Sequence, residues 1–281
     1  RAEVHPRVLV VGGPVEAVHV EPQPGLGQPD GVRVLFVVAS LDPLPQHLEG
    51  CGEDQQLMVD AGRRAQAAPL VAHRPLGQRE VGGLERLGDR ALAKRLRLAT
   101  RVALANLVEK TIETDAAALV LAGDIYDGDW RDYATGRYFV EQMALLREAG
   151  IPVFLAAGNH DAESVITKSL TLPDNVHVMS TQSPETVLRE DLGVAFHGQG
   201  FAERAVMKNL ALRYPEPVPH MINVGILHTS VAGYADHDPY APCSVDDLRS
   251  KGYEYFALGH IHKREVLFEG KTTAEIGRAH V

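Results

Sequence analysis

Short apolar runs alternate with helix-length polar segments along the second half of the chain. Four of the runs lie at residues 119–122, 152–157, 222–227 and 255–258. Each is apolar on both faces, which is typical of a buried strand in a parallel sheet. Apolar spacing and helix-ending signals predict helices over 96–114, 138–148, 162–170, 203–214 and 245–251. The pattern therefore predicts an α/β fold.

Side chains that bind metals follow the first two of these strands. Asp124 comes after the first run, and Asn159, His160 and Asp161 come after the second, each set preceded by a glycine that permits a sharp turn. Strand ends of this kind meet at one edge of an open α/β sheet. A carboxylate can bridge two cations, and an amide oxygen adds a neutral hard ligand. His160 is free to face a phosphate, and Asp161 is placed to orient its ring or to hold the turn. We predict both as catalytic residues.

Histidines follow the other two strands. His228 ends the third run, and His260 and His262 follow the fourth. Alternate residues beyond a strand end can reach the same side of a loop, which suits two imidazoles bound to neighbouring metals. Four strand ends therefore present Asp, Asn, His and His-x-His to one region.

The order of these motifs, G-D-x-x-D, G-N-H-D, a strand ending in His and then G-H-x-H, resembles that of the calcineurin-like metallophosphoesterase superfamily. Within it, residues from about 98 to 270 resemble most the SbcD-type and YhaO-like DNA repair exonucleases. The stretches that support this are GDIYDG at 123–128, FHGQGF at 196–201, HDPYAPC at 237–243 and GYEYFALGHIH at 252–262. The resemblance implies an α/β layered sheet sandwich flanked by helices, incomplete at both ends.

The resemblance also implies two divalent metal ions, with manganese expected, although the ligand types alone permit iron, zinc or manganese. His160 would contact the scissile phosphate or protonate the leaving oxygen. The implied ligands are Asp124 on both ions, Asn159, His228 and His260 on one ion, and His262 on the other. The family's first strand ends in D-x-H, and no D-x-H precedes Asp124 here. One ion keeps four ligands and the other two, so we expect one bound cation and slow hydrolysis.

Net charge, cysteine positions and the lengths of the apolar runs limit the classes of function that this chain can have. The formal net charge of −9 argues against a generally basic nucleic-acid-binding surface. A metal pair, and a partner subunit, would have to supply positive charge for a DNA substrate. Cys51 and Cys243 lie far apart, which argues against a disulfide framework or a thiolate metal site. The absence of a long apolar run or a charged leader predicts a cytoplasmic protein with no membrane contact.

Residues 1–90 differ in composition from the remainder. They hold nine of the 17 prolines and, of the aromatic residues, only Phe36. Strands are predicted at 8–11 and 32–38, and Pro- and Gly-rich loop or disorder between them. We interpret the segment as an out-of-frame or reverse-strand translation, with a natural extension as the alternative. Residues 91–273 would form a truncated metallophosphoesterase domain. Residues 274–281 read as a translated sequencing-library adapter, with a natural tail as the alternative.

The function predicted is metal-dependent phosphodiester hydrolysis by a DNA exonuclease or repair nuclease subunit. Its expected partners are DNA, an SMC-like ATPase subunit and a second copy of the chain. One alternative is a phosphodiesterase or phosphatase for small molecules such as cyclic nucleotides. The other is a non-catalytic subunit that docks an ATPase.

Overall fold

A computed structural model describes residues 7–10, 16–19, 35–36, 90–125, 133–163, 170–231, 238–261, 265–268 and 273–276. Within these ranges it describes side chains from residue 101 onward, except those of residues 133, 134, 163 and 275. The helices in these ranges are α1 (Arg90–Glu113), α2 (Tyr133–Glu148), α3 (Asn159–Glu163), a 3-10 helix (Ala211–Arg213) and α4 (Val245–Ser250). The strands are β1 (Arg7–Val10), β2 (Glu16–His19), β3 (Leu35–Phe36), β4 (Leu119–Leu121), β5 (Val153–Leu155), β6 (Val176–Val178), β7 (Glu185–Arg189), β8 (Val194–Gly198), β9 (Ile222–His228), β10 (Tyr255–Gly259), β11 (Glu265–Phe268) and β12 (Thr273–Ile276).

Two sheets form the body of the fold. One has the order β4-β5-β6 and is parallel throughout. The other has the order β11-β12-β10-β9-β8-β7, with β8, β9, β10 and β12 parallel to one another and β7 and β11 antiparallel at its edges. A separate three-stranded sheet, β2-β1-β3, is formed by the N-terminal strands.

The two main sheets pack face to face. Val120 and Phe154 of the smaller sheet share one buried cluster with Phe196, Val224 and Tyr255 of the larger sheet. The Phe154 and Phe196 rings are stacked with their centroids 3.8 Å apart. These contacts exclude water between the sheets and explain why the strands are apolar on both faces.

Helices cover both outer faces. Leu107 of α1 and Met143 of α2 pack on the smaller sheet. Leu248 of α4 packs on the outer face of the larger sheet, in a cluster with Leu227 and Leu258. The layers run helix, sheet, sheet, helix, which confirms the predicted layered sandwich flanked by helices.

One helix prediction is wrong, and another is tested only in part. Within the predicted helix 203–214, only Ala211–Arg213 is helical, as a 3-10 turn. Asn209 Oδ1 accepts a hydrogen bond from Leu212 N at 3.3 Å, and such side-chain bonds compete with helix formation. The helix expected at 162–170 begins instead at Asn159 and is described only to Glu163.

The terminal predictions are tested only in part. β1 and β3 overlap the strands expected at 8–11 and 32–38, and β2 lies in the stretch between them that was expected to be loop or disorder. The remaining residues of 1–89 lie outside the described ranges. β12 crosses the expected boundary after residue 273, so that boundary does not coincide with a strand end. The origin of residues 1–90 and 274–281 stays a prediction. Among the described residues, no helix combines the length and apolarity needed to cross a membrane.

Candidate metal centre

The predicted ligands lie at the carboxyl ends of strands from both main sheets. Asp124 follows β4, Asn159 begins α3 just after β5, His228 ends β9 and His260 follows β10. One ligand atom each from Asp124, His228 and His260 lie within 4.8 Å of one another. His228 Nε2 lies 2.8 Å from Asn159 Oδ1 and 3.0 Å from Asp124 Oδ2. All four side chains are buried.

Hydrogen bonds determine which nitrogen of His228 faces the other ligands. Its Nδ1 lies 2.9 Å from the Ala122 carbonyl oxygen. A carbonyl only accepts hydrogen bonds, so Nδ1 carries the proton and Nε2 presents a lone pair in the neutral ring. That lone pair points toward Asn159 Oδ1 and Asp124 Oδ2, which are acceptors as well.

The second imidazole is oriented in the same way by a different carbonyl. His260 Nε2 lies 2.9 Å from the Asp238 carbonyl oxygen, so Nε2 donates and Nδ1 is left as the ligand nitrogen. The His228 and His260 rings are 5.2 Å apart, edge to face. Each histidine therefore has one nitrogen bound to the backbone and one available to a metal.

The donor set fits a metal ion. Acceptor atoms of His228, Asn159 and Asp124 meet at 2.8 and 3.0 Å with no hydrogen between them in the neutral state. Such a group needs a positive charge among its atoms, which a metal ion, or a proton on His228 Nε2, supplies. Ligand atoms about 3 Å apart are also what an ion with bonds of roughly 2.0–2.2 Å requires. Imidazole nitrogens with carboxylate and amide oxygens suit manganese, iron or zinc.

Two of the predicted ligands have strained backbone conformations. Asp124 has φ 55° and His260 has φ 90°, a region that residues other than glycine rarely adopt. Conformations of this kind cost about 1–3 kcal/mol each and persist only where the surroundings hold them. The strain coincides with the two turns that direct these side chains into the centre.

The glycines before the ligands serve two different purposes. Gly123 has φ 93°, as expected for a sharp turn after β4. Gly158 has no positive φ, and its importance is instead close packing: a Cβ there would collide with Asp124 Oδ1 and lie 2.9 Å from His228 Cε1. A Cβ on Gly259 would collide with the Ala122 carbonyl that orients His228. Crowding thus requires glycine at two positions.

His160 and Asp161, predicted as catalytic, lie in the first turn of α3. The His160 amide donates to Asp124 Oδ1 at 3.1 Å, and its side chain is partly exposed. Asp161 is buried, and its two oxygens accept from the Ile125 and Gly158 amides at 2.8 and 2.9 Å. Of the two roles expected for Asp161, these bonds fit the holding of the turn. His262 lies outside the described residues.

Several groups around the centre carry no signal in the sequence. The carbonyls of Ala122 and Asp238 orient the two imidazoles, and any residue type supplies a carbonyl. Ser230 Oγ donates to the same Asp238 carbonyl at 2.7 Å. Cys243 is buried beside Thr229, and burial raises the pKa of its thiol to about 11, so it stays protonated and is unsuited to bind the metal.

Comparison with known proteins agrees with this geometry. Over 176 residues the chain is 34% identical to the uncharacterized metallophosphoesterase YhaO of Bacillus subtilis (strain 168), covering 62% of this chain and 43% of that protein. It is 28% identical over 176 residues to the DNA double-strand break repair protein Mre11 of Methanopyrus kandleri, covering 56% of this chain and 38% of that protein. The chain thus spans less than half the length of these curated relatives.

A solved dimetal phosphatase from Danio rerio aligns with 65% of this chain and 79% of its own length, at 15% identity and a TM-score of 0.39. The profile of the family described as calcineurin-like phosphoesterase matches residues 98–264, which is more than half of the chain. The match includes the four strand ends and the buried donors between them. The chain accordingly belongs to the calcineurin-like phosphoesterase family.

Proposed function

We propose that the protein is a metal-dependent phosphodiester hydrolase that acts on DNA, as a nuclease or nuclease subunit. The observation that carries this is the convergence of Asp124, Asn159, His228 and His260 from four strand ends into one buried group of acceptors. Manganese is the proposed metal. His262 is proposed as a ligand of a second ion, for which the D-x-H motif is absent from the sequence.

Four residues would hold the metal, and His160 would act on the substrate. When bound, the metal supplies positive charge that polarises the phosphate and activates water. The four ligands hold that charge, and Asp161 keeps the loops of two of them together. His160 lies next to Asn159 with a partly exposed ring, which suits contact with the scissile phosphate or proton donation to the leaving oxygen.

The choice of DNA is supported by the names of relatives. YhaO is described only as a metallophosphoesterase, whereas several more distant relatives are named Mre11 DNA double-strand break repair proteins. An acidic chain needs help to hold a long polyanion. The SMC-like ATPase partner and the homodimer therefore remain predictions that would supply this help.

The test is hydrolysis of bis-p-nitrophenyl phosphate and of linear duplex DNA with and without manganese. We expect slow, manganese-dependent hydrolysis that EDTA removes and that falls at least tenfold in Asp124→Ala and His160→Ala. Asp246→Ala is the matched control, because that carboxylate is exposed and lies on α4. Activity that is equal in EDTA, or unchanged in Asp124→Ala, would contradict the proposal. Fast hydrolysis by this chain would contradict the incomplete second site.

A second candidate is a phosphodiesterase for a small substrate such as a cyclic nucleotide. The net charge of −9 favours it, because a small substrate requires no extended basic surface. Hydrolysis of a cyclic nucleotide at a higher kcat/KM than DNA would select this candidate. A chain that binds no metal would instead agree with the non-catalytic subunit.

A further inference from the structure

We infer that Ser230 is a positioning residue of the metal centre, which acts through the Asp238 carbonyl to hold the His260 ring with Nδ1 toward the metal. The inference rests on the proposed function, since it concerns the same centre. It assigns a role to a hydroxyl that touches no predicted ligand directly, and to the segment 238–243, here called the latch segment.

One hydrogen bond connects the latch segment to His260. His260 Nε2 donates to the Asp238 carbonyl oxygen at 2.9 Å. This bond selects the Nε2–H tautomer and fixes the rotation of the ring, which leaves Nδ1 for the centre. The position of one carbonyl oxygen therefore determines how His260 presents its ligand atom.

Ser230 and the Tyr240 amide hold the Asp238 carbonyl in position. Ser230 Oγ donates to the same oxygen at 2.7 Å, and the Tyr240 amide donates to it at 2.8 Å. The Ser230 backbone adds two bonds to the latch segment: its amide donates to the Tyr240 carbonyl at 2.8 Å, and its carbonyl accepts from the Cys243 amide at 3.1 Å. Ser230 is buried, so water does not readily replace its hydroxyl.

The backbone of His260 is strained. A residue at φ 90° keeps its conformation only if its surroundings hold it there. The side-chain bond to the Asp238 carbonyl and the edge-to-face contact with His228 supply such constraints. Loss of the Ser230 hydroxyl would loosen the carbonyl and allow the ring to populate the other tautomer.

The neighbouring hydroxyl offers a matched control. Thr229 Oγ1 donates to the Ala241 carbonyl at 2.7 Å, so it also ties the latch segment to the end of β9. Thr229→Val and Ser230→Ala therefore each remove a hydroxyl-to-carbonyl hydrogen bond of 2.7 Å to the latch segment, and Ser230→Ala removes the one on the carbonyl that His260 contacts.

The experiment measures manganese affinity by calorimetry and thermal stability in EDTA for the wild type and both variants. We expect Ser230→Ala to raise the manganese Kd at least about tenfold, as loss of an outer hydrogen-bond partner of a ligand does. Thr229→Val should change the Kd less than about twofold, with a similar fall in Tm. Equal weakening of binding in both variants, or wild-type binding in Ser230→Ala, would overturn the inference.

A second readout needs no metal. Two-bond 1H–15N spectra of histidine-labelled, metal-free protein report the tautomer of each of the 13 histidines, with His260 assigned from its loss in His260→Gln. We expect a single Nε2–H form in the wild type and a mixture in Ser230→Ala. If the wild type binds no manganese, the proposed function fails, and the tautomers still decide the inference: an unchanged Nε2–H form in Ser230→Ala overturns it.

Discussion

Asp161 shows how one carboxylate organises a centre that it does not enter. Its oxygens accept from the Ile125 and Gly158 amides, which belong to the loops after β4 and β5. Those loops carry Asp124 and Asn159 respectively. Hydrogen bonds from neutral amides to a buried carboxylate are short and strong, so the two loops are joined at a fixed separation.

We predict that Asp161→Ala destabilises the metal-free protein by about 3–5 kcal/mol, because two buried amides lose a charged acceptor at once. Asp161→Asn keeps one acceptor oxygen and should lose about half of that amount. Urea unfolding in EDTA measures both effects. Asp191→Ala is the control, because that carboxylate is exposed and its loss should change stability by less than about 0.5 kcal/mol. A loss below about 1 kcal/mol in Asp161→Ala would exclude the proposed joining of the loops.

The sequence predicted which residues gather at the centre but not how they are held. Asp124, Asn159, His228 and His260 were identifiable because each follows a buried run and has a side chain that binds metals. The ligand nitrogen of each histidine was not, since the orienting groups are the carbonyls of Ala122 and Asp238. A backbone carbonyl is present at every position, so it leaves no mark in the sequence.

His197 joins three neighbouring strands of the larger sheet. From β8, its Nδ1 lies 2.9 Å from Thr186 Oγ1 on β7, and its Nε2 lies 3.0 Å from Asn223 Oδ1 on β9. Asn223 Oδ1 also accepts from the Val218 amide at 2.6 Å, so it is an acceptor and Nε2 donates to it. The ring is buried and stacked on Tyr253 at 4.3 Å. Through Asn223, His197 therefore orients the loop at Val218 that precedes β9.

Burial lowers the pKa of His197, and the hydrogen bond to Asn223 opposes this only in part. The unfolded chain therefore binds a proton at this residue at higher pH than the folded chain does. By linkage, the stability from the neutral ring is present above the unfolded pKa, about 6.5, and falls as pH decreases below it. The slope from this one residue is at most about 1.4 kcal/mol per pH unit.

The measurement compares the free energy of unfolding of the wild type and of His197→Gln between pH 7.5 and pH 5. We expect the variant to be less stable at pH 7.5 and the difference to shrink as pH falls, because glutamine does not titrate. Glu254 contacts Asn223 and is present in both proteins, so it does not distinguish the two curves. A difference in the free energy of unfolding between the two proteins that stays constant from pH 7.5 to pH 5 would contradict the role assigned to the neutral His197 ring.

Periodicity located the central strands well and one helix badly. Buried strands such as β9 and β10 are apolar at nearly every position, and tertiary packing agrees with that local pattern. The segment 203–214 contains apolar residues at plausible spacing, but Asn209 bonds the backbone at Leu212 and Pro215 follows the short turn. The hydrogen bond from the Leu212 amide to Asn209 and a nearby proline thus outweigh a weak helical pattern.

The centre connects the two sheets of the sandwich. Asp124 and Asn159 follow strands of the smaller sheet, whereas His228 and His260 follow strands of the larger one. Periodicity could not assign these strands to separate sheets, because strands in either arrangement are apolar on both faces. The resemblance to a family implied a layered sandwich but not which strand lies in which sheet. A cation held by all four residues would link the sheets at one edge, in addition to the apolar cluster between them.

This position predicts that metal binding stabilises the whole fold. A ligand present at 100 times its Kd adds about 2.7 kcal/mol if it binds only the folded state, and the four donors converge only when both sheets are packed. Thermal unfolding in manganese should therefore give a higher Tm than in EDTA, with a difference that grows with the logarithm of free manganese. The Tm of Asp246→Ala should rise with manganese as the Tm of the wild type does, since the Asp246 carboxylate is exposed. The Tm of Asp124→Ala should not rise with manganese. An equal rise in that variant would mean that manganese stabilises the protein from a site other than the one formed between the sheets.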